Sequence, residues 1–284
     1  MKILITGYKG MLGLDLVDIL ENENQHELVL TDIGELDITN LEEVKKMFNQ
    51  EKPELIINVA AYTDVDGCET NRELAYSVNS IGPKNLAIAS NENGAKLLHI
   101  STDYVFPGNN TKPYTEDDKT DPQSYYGLTK LEAEKFIKEN MKNYFIVRTA
   151  WLYGINGKNF VKTMLNLAKN NSEITVVNDQ RGSPTFTVDL AHAICELIKT
   201  DKYGVYHVTN SDECTWYDFA KNIFELANMD VTVKPVNTEE YPTPAKRPKY
   251  SVLSHKKWNS SGFKPLRTYK NALNDYMELE LGDE

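Results

Sequence analysis

The 284-residue chain predicts an α/β fold, a doubly wound parallel sheet with a smaller C-terminal α+β lobe. Three observations predict it. Short β-branched apolar runs alternate with helical segments, the first run ends in a glycine turn, and prolines crowd the last fifty or so residues. The length exceeds that of an ordinary sandwich or bundle and suits a large α/β unit carrying an added lobe.

Strands are expected at 2–6, 27–31, 54–60, 96–101 and 144–149. The run Leu55-Ile56-Ile57-Asn58-Val59 is apolar without alternation, which fits a strand covered by helices on both faces. Thr39-Asn40-Leu41-Glu42 reads as a capping box that opens a helix running to about Gln50, and Pro53 separates that helix from the next strand. Later strands are expected at 174–178 and 205–208. A helix at 187–198 followed by a strand at 205–210 continues the first rhythm and is expected to return to the first sheet. Pro242, Pro244, Pro248 and Pro265 mark the lobe.

Composition narrows the function classes. Hydrophobic residues make up 40% and charged residues 26%, the balance of a globular protein. A net charge of -11 argues against a nucleic-acid partner, because phosphate backbones are bound by clustered Lys and Arg. Cys68, Cys195 and Cys214 form no CxxC pair and lie beside no His, so neither zinc nor a disulfide framework is expected and a reducing cytoplasm fits. The N-terminus lacks the pattern of a secretion signal, and no apolar run reaches the ~18 residues of a membrane span.

The first strand runs into Gly7-Tyr8-Lys9-Gly10-Met11-Leu12-Gly13, and a helical pattern follows at once. Such a turn lets backbone approach a pyrophosphate, whose charge meets the free N–H groups and positive dipole end of the helix. Gly7, Gly10, Met11, Leu12 and Gly13 are therefore expected to bind a dinucleotide, and the sheet to be of Rossmann type. Asp32, at the end of the second strand, is placed to accept the adenosine ribose hydroxyls. Asp37, Ile38 and the third-strand exit Ala60-Ala61-Tyr62 are expected to form the adenine and ribose wall. The choice between NAD and NADP stays open, since Asp32 repels a 2′-phosphate that Lys9 could neutralise, with a slight lean to NAD.

Residues 1–150 thus read as a dinucleotide-binding domain to which 187–210 returns, and 151–186 with 211–284 as a substrate-binding domain. Tyr126-Gly127-Leu128-Thr129-Lys130 places a phenol and an ammonium four residues apart on one helical face, where the charge can lower the phenol's pKa. Tyr125 is turned off that face. The fourth strand ends in Ser101-Thr102-Asp103-Tyr104-Val105-Phe106, which sets a Thr102 hydroxyl at the carboxyl edge of the sheet, beside the nicotinamide position. The Tyr–Lys pair alone also suits a solvated helix face. The glycine turn, Asp32 and Thr102 in the same order make Tyr126, Lys130 and Thr102 catalytic candidates.

This set resembles the extended short-chain dehydrogenase/reductase family, whose glycine turn, strand-four Ser/Thr and YxxxK occupy these places. Asn178-Asp179-Gln180-Arg181-Gly182-Ser183-Pro184-Thr185 and Tyr241-Pro242-Thr243-Pro244-Ala245-Lys246-Arg247-Pro248 extend the likeness, toward its nucleotide-sugar reductases, over nearly the whole chain. The resemblance implies reduction of the 4-keto group of dTDP-4-dehydro-L-rhamnose by NADH or NADPH, with Tyr126 as proton donor, Thr102 bonded to the same oxygen and Lys130 holding the nicotinamide ribose. It implies Asp103 against sugar hydroxyls, Trp151 as a sugar wall and Arg247 on the diphosphate. A core role for Trp151 is equally open. Asn159, Phe160, Gln180 and Pro184 are further candidates for the nucleotide pocket.

Some similar reductases are magnesium-dependent dimers with a Glu after the glycine turn. Asp15 stands there here, so no metal ligand is assigned, Mg2+ is unsupported by the sequence, and a homodimer is left open. Two rival readings remain. One is another nucleotide-sugar reductase, epimerase or dehydratase of the same superfamily, although Thr102-Asp103-Tyr104 lacks the second acid of the dehydratases. The other is a non-catalytic regulatory subunit similar to that of methionine adenosyltransferase.

Overall fold

A computed structural model describes residues 1–282. Five strands, β1 (Lys2–Thr6), β2 (Glu27–Thr31), β3 (Leu55–Asn58), β4 (Lys96–Thr102) and β5 (Tyr144–Thr149), join the strand Gly204–His207 in a six-stranded sheet. All neighbours are parallel, and the order from one edge is β2, β1, β3, β4, β5 and Gly204–His207. The chain leaves β1 toward β2 and returns on its other side as β3. That reversal opens a crevice at the carboxyl ends of β1 and β3, where open α/β sheets bind ligands.

Alternate side chains of each strand feed different cores. Ile3, Ile5, Ile57, Leu98 and Phe145 pack toward helix α1 (Met11–Glu23) and the helix Thr187–Ile198. Leu4, Ile56, Leu97 and Ile146 face the opposite layer, with Phe48 of helix α2 (Leu41–Glu51) and Leu86 of the helix Gly82–Asn93. The side-chain period of two makes this division, and each fully buried Ile or Leu contributes roughly 1.5–3 kcal/mol. The helix Tyr125–Asn140 packs beside Gly82–Asn93 and completes that layer.

Three local expectations are corrected. Asn40, not Thr39, caps α2: its side chain accepts from the Glu42 and Glu43 amides at 3.1 and 3.4 Å, because Thr39 gives its hydroxyl to Asp37 Oδ1 at 2.7 Å. Strand β3 ends at Asn58 instead of residue 60, since Asn58 turns its side-chain oxygen back onto the Ala60 amide at 3.2 Å. The last segment is more regular than its prolines imply, with a helix at Tyr269–Gly282.

A second core gathers Tyr153, Phe186, Phe219, Ile223 and Tyr276 between the helices Phe160–Ala168, Trp216–Leu226 and Tyr269–Gly282. The strands Glu173–Val177 and Thr232–Val236 pair in parallel beside it. Trp258 instead joins the core of the large sheet, stacked on Phe263 at 4.3 Å and edge-on to Tyr206 of the sixth strand. Among the described residues, no helix is long and apolar enough to cross a membrane.

Candidate active site

One cleft of about 1020 Å³ lies over the carboxyl ends of the strands. Gly7, Gly10, Met11, Leu12 and Gly13 border it at the start of α1. Asp32, Asp37 and Ile38 border it from the β2 side, and Ala60, Ala61 and Tyr62 from the end of β3. Tyr126, Lys130, Thr102, Asp103 and Trp151 close its other half. The glycine turn, the second-strand acid and the Tyr–Lys helix thus face one another across a single space.

The turn is built for backbone contact. Gly7 has a φ of 76°, and a Cβ there would stand 2.6 Å from the Ala60 backbone. A Cβ on Gly13 would stand 2.6 Å from the Gly7 carbonyl oxygen. Both positions therefore exclude a side chain. Gly10 caps α1 without a side-chain hydrogen bond, so the first N–H groups of the helix are directed at the cleft with no side chain covering them. Among residues of this chain, that arrangement fits a dinucleotide's pyrophosphate, and Asp32 fits its ribose. Asp32 accepts from the amides of Ile33 at 2.8 Å and Lys9 at 3.3 Å, while the Lys9 ammonium pairs with Glu35 at 2.9 Å.

Tyr126 and Lys130 lie one turn apart near the start of the helix Tyr125–Asn140, whose cap Ser124 accepts from the Gly127 amide at 3.2 Å. The Tyr126 ring meets Tyr104 edge-on at 5.6 Å. Lys130 is almost fully buried and donates to the Ile100 carbonyl at 2.6 Å, with its Nζ 3.2 Å from His99 Nε2. Burial pulls its pKa down to about 7 against the opposing pull of Glu134. The expected lowering of the phenol is not realised. Burial pushes Tyr126 well up, Asp103 and Tyr104 add to the rise, and only the Thr102 hydroxyl opposes it. The cause is desolvation, which outweighs an ammonium turned onto the strand.

Thr102 and Asp103 are coupled. The Thr102 hydroxyl donates to Asp103 Oδ1 at 2.9 Å and accepts from the Tyr104 amide at 3.2 Å. Asp103 Oδ2 is buried without a hydrogen-bond partner. Burial raises Asp103 to about 6, with the Ser251 and Thr102 hydroxyls pulling the other way. Between the ordinary 3.8 and about 6 the folded protein keeps a proton that the unfolded chain releases. Asp103 therefore costs stability increasingly as pH rises through that window, on the order of 3 kcal/mol above it. Asp103→Asn is expected to raise the urea midpoint at about pH 8 and to change it little at about pH 4. An equal change at both pH values would contradict this.

Trp151 borders the cleft and also stacks on Trp216 at 3.5 Å with planes 6° apart, so it is packed and still faces the cleft. Its φ of 50° is left-handed, a conformation that costs a non-glycine residue of order 1–3 kcal/mol and is held here by the stack. Arg247 is the candidate for the diphosphate. It lies outside the cleft lining, paired with Asp66 at 2.7 Å and donating to the Tyr104 hydroxyl at 3.0 Å, because Asp66 offers a carboxylate at the end of its reach. The further pocket candidates also lie outside the lining. Asn159 caps the helix Phe160–Ala168, Phe160 packs on Trp216, and Gln180 bonds Thr238. Pro184 precedes the short strand Thr185–Phe186 and likewise does not line the cleft.

Sequence reasoning missed Lys158, a cation on the cleft lining whose only signal is the Gly154-Ile155-Asn156-Gly157-Lys158 turn just beyond Trp151. It also missed His99 and Asn58, which lie beneath Lys130 and read in the sequence as ordinary strand residues. Asp15 bonds Asn156 at 3.2 Å, and no cluster of three or more acidic, His or Cys residues suited to a metal occurs among the described residues.

A parallel sheet whose switch-point crevice holds a glycine turn, an acid at the end of β2 and a Tyr–Lys helix defines an NAD(P)-dependent oxidoreductase of the short-chain type. More closely, a family model described as the RmlD substrate binding domain matches residues 1–281, and the chain belongs to that family. The crystal structure of a dTDP-4-dehydrorhamnose reductase from Clostridium acetobutylicum superposes with a TM-score of 0.96, at 51% identity over 98% of this chain and 99% of that one. A dTDP-4-dehydrorhamnose reductase from Bacillus anthracis, solved in complex with NADP, has a TM-score of 0.94 at 46% identity over 97% and 98% of the two chains. The spore coat polysaccharide biosynthesis protein SpsK of Bacillus subtilis is 43% identical over 277 residues, 98% of this chain and 97% of its own.

Proposed function

We propose that the protein reduces the 4-keto group of dTDP-4-dehydro-L-rhamnose to give dTDP-L-rhamnose. The observation that carries this reading is the half-buried Tyr126, whose phenol is held protonated beside Thr102 and the unpartnered Asp103 oxygen in the cleft that the glycine turn opens. The family and its reductase relatives supply the substrate class.

NADH or NADPH supplies the hydride to the ketone carbon. The chain's own residues do the rest. The start of α1 and Gly7, Gly10, Met11, Leu12 and Gly13 hold the pyrophosphate, and Asp32 accepts the adenosine ribose hydroxyls. Asp37, Ile38, Ala60, Ala61 and Tyr62 wall the adenine end. As negative charge grows on the ketone oxygen, Tyr126 gives it a proton and the Thr102 hydroxyl, turned from Asp103 Oδ1, donates a hydrogen bond to it. One hydride and one proton make the alcohol, and Tyr126 is left to regain its proton from solvent. Lys130 binds the nicotinamide ribose, Asp103 orients sugar hydroxyls and Trp151 supplies an apolar wall. Arg247 reaches the diphosphate by exchanging the single contact with Asp66 for it, one anion for another.

Residues 1–150 with 187–210 act as the dinucleotide-binding part, and 151–186 with 211–284 as the sugar-binding part, apart from the Trp258 strap against the sheet. The reaction belongs to the cytoplasm in this reading, which suits the free, buried thiols of Cys68, Cys195 and Cys214. A homodimer is the assembly that accompanies it.

The assay is oxidation of NADH and of NADPH with enzymatically generated dTDP-4-dehydro-L-rhamnose. Turnover with at least one of them is expected. No turnover, together with tight association to another enzyme, would sink the catalytic reading in favour of a regulatory subunit.

A further inference from the structure

We propose that His99 is a positioning residue that donates its Nε2–H to the side chain of Lys130 and thereby holds that lysine as an uncharged amine. The proposal deepens the functional reading above and rests on Tyr126 being the proton donor.

The Ala60 N–H can only donate, and it faces one end of the Asn58 side chain at 3.2 Å, so that end is the oxygen. The Thr6 hydroxyl donates to the same oxygen at 2.7 Å. The NH2 of Asn58 must then be the group that faces His99 Nδ1, at 2.9 Å. Nδ1 therefore accepts. A neutral imidazole that accepts at Nδ1 carries its proton on Nε2, and an imidazolium is ruled out because Nδ1–H would face the amide N–H. His99 has no exposed surface, and burial holds it well below the usual histidine range, in agreement with the geometry.

Nε2–H points at Lys130 Nζ, 3.2 Å away. An ammonium has three N–H groups and no lone pair, so a charged Lys130 would set donor against donor. A neutral amine resolves the conflict. Its lone pair accepts from His99 while one of its own N–H groups donates to the Ile100 carbonyl at 2.6 Å. Thr6, Asn58, His99, Lys130 and Ile100 then form one chain in which every bond runs donor to acceptor in the same direction.

The groups facing Lys130 allow this. On its own helix Tyr126 lies one turn before it and Glu134 one turn after, and the Glu134 carboxylate is committed to Arg148 of β5 at 2.7 and 2.8 Å and to the Ser101 hydroxyl at 2.7 Å. His99 faces it from β4, neutral Asn58 lies behind on β3, and Asp103 follows the end of β4. An uncharged lysine leaves Tyr126 as a phenol, the form a reduction needs. Charge on Lys130 requires the lysine to leave His99, as it would on turning to a ribose.

Two magnetic-resonance measurements on the intact protein test this, with neither cofactor nor substrate added. Imidazole 15N shifts at about pH 8 are expected to show His99 protonated at Nε2 and bare at Nδ1. Titration of lysine 13Cε resonances is expected to give Lys130 a midpoint near 7 instead of the ordinary 10.5. Asn58→Asp puts a carboxylate against Nδ1, pulls the proton to that nitrogen and gives a charged Lys130 an acceptor. Its Lys130 midpoint is expected to rise by about one pH unit or more. A His99 protonated at Nδ1 in the unaltered protein, a Lys130 midpoint near 10.5, or an unchanged midpoint in a folded Asn58→Asp protein overturns the proposal. If the Asn58→Asp protein does not fold, the two readings on the unaltered protein decide. Absence of turnover in the reductase assay bears on the function and not on these readings.

Discussion

Tyr126→Phe is expected to lower kcat by roughly 10²–10⁴-fold while leaving the affinity for the dinucleotide almost unchanged. The substitution removes one hydroxyl from a half-buried ring and keeps its edge-on contact with Tyr104. Only the proton delivered to the ketone oxygen is lost, and that proton matters in the transition state, when the oxygen becomes an alkoxide. Thr102 cannot replace it, because an alcohol hydroxyl can donate a hydrogen bond to that oxygen but is a far weaker acid than a phenol. Cofactor binding, read by fluorescence titration, and turnover, read by NAD(P)H absorbance, separate the two effects. Near-normal turnover would remove Tyr126 from its role. A parallel loss of cofactor affinity would show that the ring was acting as structure.

Arg148→Met is expected to destabilise the fold by about 3–5 kcal/mol, because it leaves a buried carboxylate with only the partly exposed Lys138, 3.4 Å away, as a cation. Glu134 has no exposed side-chain surface, and Arg148 meets both of its oxygens, at 2.7 and 2.8 Å. The same guanidinium contacts His207 of the sixth strand at 3.3 Å and lies 5.0 Å from the Phe106 ring centre. The pair pins the helix that carries Tyr126 and Lys130 to β5 and the sheet edge. Replacing both partners by apolar residues, Arg148→Met with Glu134→Leu, removes the orphaned charge and is expected to recover most of the loss. Denaturant midpoints of the single and double variants decide. A double variant as unstable as the single one would mean that packing, not charge, sets the cost.

The first half of the fold was legible because its signals are local. Glycines at Gly7 and Gly13 mark the only backbone that fits against Ala60 and the Gly7 carbonyl, and the apolar runs at β1 to β5 need burial on both faces. The Tyr–Lys spacing was legible for the same reason, since four residues on a helix fix a shared face. What the sequence could not supply was partnership across the chain. Nothing near Arg247 announces that Asp66 will take its guanidinium, and the two are 181 residues apart. Nothing near Lys130 announces His99, which reads as one residue of an apolar strand. The electrostatic expectation for Tyr126 failed for a related reason: burial is a property of the assembled site, and here it outweighs the charge that helical spacing implied. Trp151 shows the middle case, in which the sequence left a wall and a core residue open and the chain packs it on Trp216 at the border of the cleft.

The measurement that bears most directly on this account is isotope transfer from cofactor deuterated at the transferring position of the nicotinamide ring. With dTDP-4-dehydro-L-rhamnose, the account predicts a single deuterium at C4 of the sugar product, resolved by proton and deuterium NMR, with the hydroxyl proton drawn from solvent. Deuterium at any other carbon, or a product formed with no deuterium at all, would contradict it.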